Sequence, residues 1–173
     1  MASTYLTRTA GSTGNRKTWT WSGWVKRCAV PGTADAKGGL FATYTDSNNR
    51  LDFGVDANHR FFFKEKEGSG ATLIDFTTNR LFQDPSAFYN FVIAVDTTDS
   101  TASDRVKIYV NGERITSWLD STAPSQNRDT LMNLSGRTYY IGTTDGSSNY
   151  WNGLMSHVHF VDGTAYDASA FGS

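Results

Sequence analysis

The sequence predicts an all-β protein, an antiparallel β-sandwich, on three observations. Apolar and polar residues alternate with a period of two in most segments, and turn-forming clusters recur at short, regular spacing. No stretch carries the 3.6-residue period of a helix. Roughly ten short strands without helices close only as a sandwich or a barrel.

In chain order, the first strand expected is Trp19 to Lys26, followed by the turn-rich Pro31 to Gly39 and a second strand at Leu40 to Thr45. After the turn Asp46 to Asn49, Leu51, Phe53 and Val55 alternate with Asp52, Gly54 and Asp56, which predicts a half-buried strand with one wet face. Arg60 to Lys64 and Thr72 to Phe76 flank Glu67 to Gly70; Gly68-Ser69-Gly70 lacks the third glycine and the helix of a phosphate loop and is a hairpin turn. Phe91, Ile93 and Val95 alternate with Val92 and Ala94, so both faces are apolar and this strand is central. Beyond Thr97 to Asp104, Val106, Ile108 and Val110 alternate with Lys107 and Tyr109 and run into Asn111-Gly112, then Glu113 to Thr116. Asn-Gly suits the two positive-φ positions of a type I′ turn, so a hairpin follows. Tyr139 to Gly142, the loop Thr143 to Asn149 and Trp151 to Val161 complete the set. Single helical turns are expected at Asp84 to Ala87 and Asp167 to Ala170, each with Asp as N-cap.

The 173 residues, without repeat, linker or low-complexity segment, predict one domain over 1–173. A chain of this length buries about 70% of its unfolded surface, enough to fold without a metal or disulfide. Cys28 is the only cysteine. Met1 to Ala10 lacks the apolar core of a signal peptide, and no run approaches the ~18 apolar residues of a membrane span. The chain is therefore expected to fold in a reducing cytoplasm and to have no membrane partner. Sixteen basic and seventeen acidic residues give a net charge of −1, which argues against nucleic acid as a partner.

Several segments also resemble a known family. Phe88 to Asp96 followed by Val106 to Glu113 is similar to the paired inner strands of laminin-G-like jelly rolls in the concanavalin-A-like superfamily. Thr18 to Lys26 resembles that family's early strand, and Tyr140-Ile141-Gly142 with Trp151 to Phe160 its closing strands. The segments Asn15 to Arg27, Asp84 to Tyr89 and His159 to Gly172 look most like tail and other virion proteins of bacteriophages, especially marine ones. At His157 the resemblance departs, since relatives carry an acidic residue there. The resemblance implies a concanavalin-A/laminin-G-like jelly roll on a virion. Its partners would be a host surface glycan or neighbouring virion proteins, with self-association into a homo-oligomer also open. It would recognise glycans without catalysis; the alternatives are a purely structural decoration module and, more weakly, a polysaccharide-degrading enzyme.

Because the superfamily includes glucanases, the acids are candidates for catalysis. The chain has three Glu, at 65, 67 and 113. Glu65-Lys66-Glu67 has the right alternate spacing, but the segment then runs into Gly68-Ser69-Gly70. Asp52 and Asp56 share a face about 13 Å apart at strand rise, wider than the ~5–9.5 Å of a glycosidase pair. A solvated sheet face is expected for them, and no catalytic residue is assigned. His157 and His159, two apart on a strand, are expected to face the same way without a third metal ligand beyond Asp162. No cofactor is expected. Calcium is the alternative left open, at Asp96, Asp99 and Asp104 or at Asp145 and Asn149, although neither loop has the one-three-five oxygen pattern. Cys28 is read as structural. The expected ligand-binding residues are Asp145, Asn149, Tyr150 and Trp151, in a polar loop ending in two aromatics that can stack on a sugar. Trp118, beside Asp120, is a second candidate; packing is the competing role for both Trp.

Overall fold

A computed structural model describes residues 4–28 and 37–172. Part of the expected turn Pro31 to Gly39, namely 31–36, lies outside these, as do Met1 to Ser3 of the polar start.

Twelve strands form among the described residues: β1 (Leu6–Thr9), β2 (Thr18–Arg27), β3 (Gly38–Asp46), β4 (Asn49–Val55), β5 (Arg60–Glu67), β6 (Ala71–Leu81), β7 (Tyr89–Asp96), β8 (Val106–Val110), β9 (Glu113–Arg114), β10 (Trp118–Thr122), β11 (Thr138–Ile141) and β12 (Gly153–Asp162). They make a seven-stranded sheet in the order β1-β11-β3-β4-β5-β6-β10 and a five-stranded sheet in the order β12-β2-β7-β8-β9. All pairings are antiparallel. The expected all-β antiparallel sandwich is what the structure shows.

Alternation decides which side chains meet between the sheets. Trp19, Trp21, Phe91 and Ile93 of one sheet face Phe53, Phe61 and Phe63 of the other, all without exposure. Rings cross the gap at 4.6 Å (Phe61–Phe91), 5.0 Å (Trp21–Phe53) and 6.0 Å (Trp19–Phe63). Each such side chain contributes about 1.5–3 kcal/mol by burial, so this layer is the main stabiliser. β7 lies third of five, as its doubly apolar pattern predicts. On β8, Val106, Ile108 and Val110 are buried while Lys107 and Tyr109 are not, and Asn111 (φ 50) and Gly112 (φ 84) make the hairpin turn.

Several expectations are corrected. The face of β4 carrying Asp52 is not wet: Asp52 is fully buried, bonded by the Lys37 ammonium, with Arg50 Nε 3.6 Å away. Lys37 also lies 4.2 Å from the Phe62 ring centre, and burial lowers its pKa. Asp56 is committed to its own turn, accepting from the backbone N–H of Asn58 and Arg60 at 2.9 and 2.8 Å. Asp84 to Ala87 is a bend and not a helical turn, because the Asp84 carboxylate takes the Ser86 N–H at 2.8 Å and its hydroxyl at 2.6 Å. The turn after Asp167 does form, over Ala168–Phe171, with Asp167 accepting from Ser169 N–H. β1 and β10 were not expected. β12 breaks register between Ser156 and His159, with His157 at φ 49, so the alternation that would set His157 and His159 on one face is interrupted by a bulge.

The connection 123–137, between β10 and β11, is pinned from inside. Arg128 Nη2 donates to Glu65 at 2.6 Å and to Glu67 at 2.7 Å, and Leu131 N–H donates to Glu65 at 3.3 Å. Leu131 and Met132 sink into the core, and Trp19 Nε1 donates to Thr130 Oγ1 at 3.1 Å.

Candidate functional site

β1 and β12, the outermost strands of the two sheets, flank one open edge of the sandwich. At one end of that edge the segment 142–152 folds beside a cavity of about 460 Å³. Its base closes through Trp151 N–H donating to Gly142 O at 2.8 Å, and Gly39 N–H ties it to β3 by donating to Asn149 O at 2.9 Å.

The four residues expected here have divided roles. Asp145 turns inward on its own loop: it accepts from Ser147 N–H (2.8 Å), Ser148 N–H (2.6 Å) and both serine hydroxyls. Burial works to raise its pKa, but these hydrogen bonds outweigh it and hold the carboxyl below the usual range. Asn149, at φ 51, donates to Thr144 Oγ1 and Ser148 Oγ at 3.0 and 2.9 Å. Both therefore shape the loop, whereas Tyr150 and Trp151 line the cavity.

Trp151 is half-buried and packs against the core. A Cβ at Gly38 would lie 3.0 Å from Trp151 Cε3, and one at Gly153 would lie 2.8 Å from its Nε1, so the indole fits because both neighbours lack a side chain. Tyr150 is freer; its hydroxyl donates to Gly146 O at 3.3 Å. One ring missed in the sequence completes the wall. Tyr5 lies 6.0 Å from Tyr150 and 6.2 Å from Tyr140, and is 38% exposed. No local pattern marks Tyr5; the doublet Tyr139-Tyr140 marks only its neighbour Tyr140, since alternation sends one ring to each face. Thr4 and Asn152 add polar groups to the rim.

Trp118 is separate. It lies on β10, at the opposite edge of the seven-stranded sheet, edge-on to Phe76 at 5.1 Å and beside a cavity of about 430 Å³.

The acids weighed for catalysis are engaged elsewhere. Glu65 and Glu67 share one guanidinium nitrogen, Glu65 is fully buried and burial pushes its carboxyl up. Glu113 is exposed on β9. In the loop considered for calcium, Asp96 accepts from Thr98, Asp99 from Thr101 N–H, and Asp104 pairs with Arg114 at 2.7 Å. Among the described residues, no group of three His, Cys, Asp or Glu is placed to hold a metal, and no helix is long and apolar enough to cross a membrane.

A family model described as the concanavalin A-like lectin/glucanases superfamily, of laminin G type, matches residues 1–168. Similar solved structures include the CBM40 domain of the Ruminococcus gnavus IT-sialidase (TM-score 0.62, 13% identity, covering 97% of this chain and 99% of that one). Domain 4 of AbnA, an extracellular arabinanase from Geobacillus stearothermophilus solved with arabinotriose, gives a TM-score of 0.59 at 15% identity, over 94% and 68%. A heptameric SAP-like pentraxin from Limulus polyphemus gives 0.54 at 14%, over 90% and 68%. At these identities the likeness is one of fold. No curated protein matches the sequence.

Proposed function

Because the chain belongs to the concanavalin A-like lectin/glucanases superfamily, we propose that it is a non-catalytic glycan-binding domain whose site is the cavity walled by Tyr5, Tyr150 and Trp151. The observation that carries this reading is the cavity itself, about 460 Å³, in which aromatic faces stand beside the polar Thr4 and Asn152. Flat rings pack on the apolar faces of sugars while a few polar groups fix the hydroxyls. Its fold relatives include domains solved with arabinotriose and with sialyllactose, which supports a sugar ligand. The engagement of Glu65 and Glu67 by Arg128, and of Asp52 by Lys37, supports the absence of catalysis. The resemblance to bacteriophage tail and virion proteins supports a place on a virion, where the glycan would belong to the host surface.

A second reading, a decoration module without a ligand, is favoured by one observation: Asp145 and Asn149 use their polar atoms within their own loop. A glycan array on the purified domain separates the two. On the glycan the array identifies, Tyr150→Ala should weaken binding about tenfold, the ~1–2 kcal/mol of one stacking ring, with little change in Tm. Unchanged affinity in a folded Tyr150→Ala protein removes this site.

A further inference from the structure

The cavity at Tyr150 continues. A second one, of about 350 Å³, shares Leu6 and Ile141 with it and is floored by Phe41, Tyr139 and Phe160. A third, of about 330 Å³, shares Arg8, Tyr139 and Phe160 with the second and is lined at its far end by Gly14 and Asp162. All three follow β1, and Tyr5 to Ala10 spans about 17 Å at a strand rise of ~3.4 Å per residue. Leu6 pairs with Ile141 and Arg8 with Tyr139, so Leu6 and Arg8 stand on the same face over the trough. Leu6 is 68% exposed there.

The chemistry changes along this trough from apolar to polar. Arg8 is exposed, and its guanidinium makes no hydrogen bond or ion pair among the described residues. Asp162 is held by one oxygen only: Oδ1 accepts from Asn15 N–H at 2.8 Å and Asn133 Nδ2 at 2.9 Å. A Cβ on Gly14 would lie 2.3 Å from the other oxygen, Oδ2, so only a glycine lets the carboxylate sit this close to the chain, and Oδ2 accepts no protein hydrogen bond among the described residues. A guanidinium that only donates and a carboxylate that only accepts, beside the rings of Tyr139 and Phe160, are the groups that read neighbouring hydroxyls on one sugar. Their charges balance, so the pair offers a charged sugar no net attraction and suits a neutral one.

We infer that the binding cleft runs the length of the β1/β12 edge and takes an uncharged, extended oligosaccharide, stacked at Tyr150 and hydrogen-bonded at Arg8 and Asp162. The inference rests on the glycan-binding reading and adds a second subsite and a ligand class to it. Calorimetry with arabino-, xylo-, cello- and malto-oligosaccharides of two and six units, and with oligogalacturonides of the same lengths, tests both. The six-unit member of the bound neutral series should bind at least roughly tenfold tighter than its two-unit member. Arg8→Ala, which removes a guanidinium without a protein hydrogen bond or ion pair, should bring the six-unit ligand down to the two-unit affinity and leave the two-unit affinity alone. Tyr150→Ala should weaken both. Equal affinity at both lengths, or an Arg8→Ala protein that binds the long ligand normally, overturns the extended cleft and leaves the single-site reading standing. Tighter binding of galacturonides overturns the uncharged assignment. No binding across the panel overturns the uncharged, extended cleft and leaves the single-site reading to the glycan array, whereas hydrogen-exchange protection of Leu6–Thr9 by an added extended peptide in place of any sugar overturns both readings.

Discussion

The segments 123–137 and 142–152 are both polar connections organised by a carboxylate, yet they are built from opposite sides. The first lends its cation inward. Arg128 reaches Glu65, whose carboxylate has no exposure, at 2.6 Å, and Leu131 and Met132 follow it into the core. The second folds around Asp145, which collects its own serines, and it leaves Tyr150 and Trp151 on the cavity wall. A charge taken out of water must be met by a partner or it costs several kcal/mol, so the first segment is bound to the stability of the whole sandwich. A self-contained turn carries no such tie, and the sheets fix only its ends.

The largest effect should therefore come from Arg128→Ala. Leaving Glu65 buried without its cation should lower the unfolding free energy by about 3–5 kcal/mol in urea titration. A loss below ~1 kcal/mol would mean that the core holds 123–137 without the ion pair. Next in size is Asp145→Ala. Only local hydrogen bonds at a partly exposed site are lost, so stability should fall by about 1–2 kcal/mol while glycan affinity drops with the displaced Tyr150. A loss as large as that of Arg128→Ala would erase the distinction between the two segments.

The smallest and sharpest effect is in the sign of the pH dependence. Burial raises the pKa of Glu65 in the folded state, so its contribution is full below the ordinary glutamate value and is lost as pH rises through the raised one. For Asp145 the folded pKa is depressed, so its contribution is present above the ordinary aspartate value and is lost as pH falls through the depressed one. Stability measured from about pH 3 to about 8 should lose its slope above the glutamate range in Glu65→Gln and below the aspartate range in Asp145→Asn. Flattening on the same side in both variants would contradict these environments.

What the sequence made legible follows the same division between near and far. The β8 hairpin depends on neighbours in the chain, and Asn111-Gly112 marks it outright. β1 escapes because LTRT has one apolar residue and becomes a strand only by pairing with β11, formed near the other end of the chain. The alternation of β4 is plain in its sequence, but the dryness of Asp52 depends on Lys37 and Arg50 closing over it. At the site, Tyr150 and Trp151 announce themselves as the aromatic end of a polar loop. Their partner Tyr5 is set there by β1, and the glycines that admit Trp151 come from β3 and β12. Local pattern thus identifies which side chains are exceptional; long-range pairing decides what stands opposite them.

The bulge in β12 has a meaning for molecules held side by side. β12 runs ten residues along the free border of its sheet, long enough to recruit a strand from another molecule. At His157 the backbone turns to φ 49 and the register slips, so a partner strand meets matching donors and acceptors on only one side of the break. Copies of this domain brought together along β12 are therefore hindered from joining their five-stranded sheets through that border.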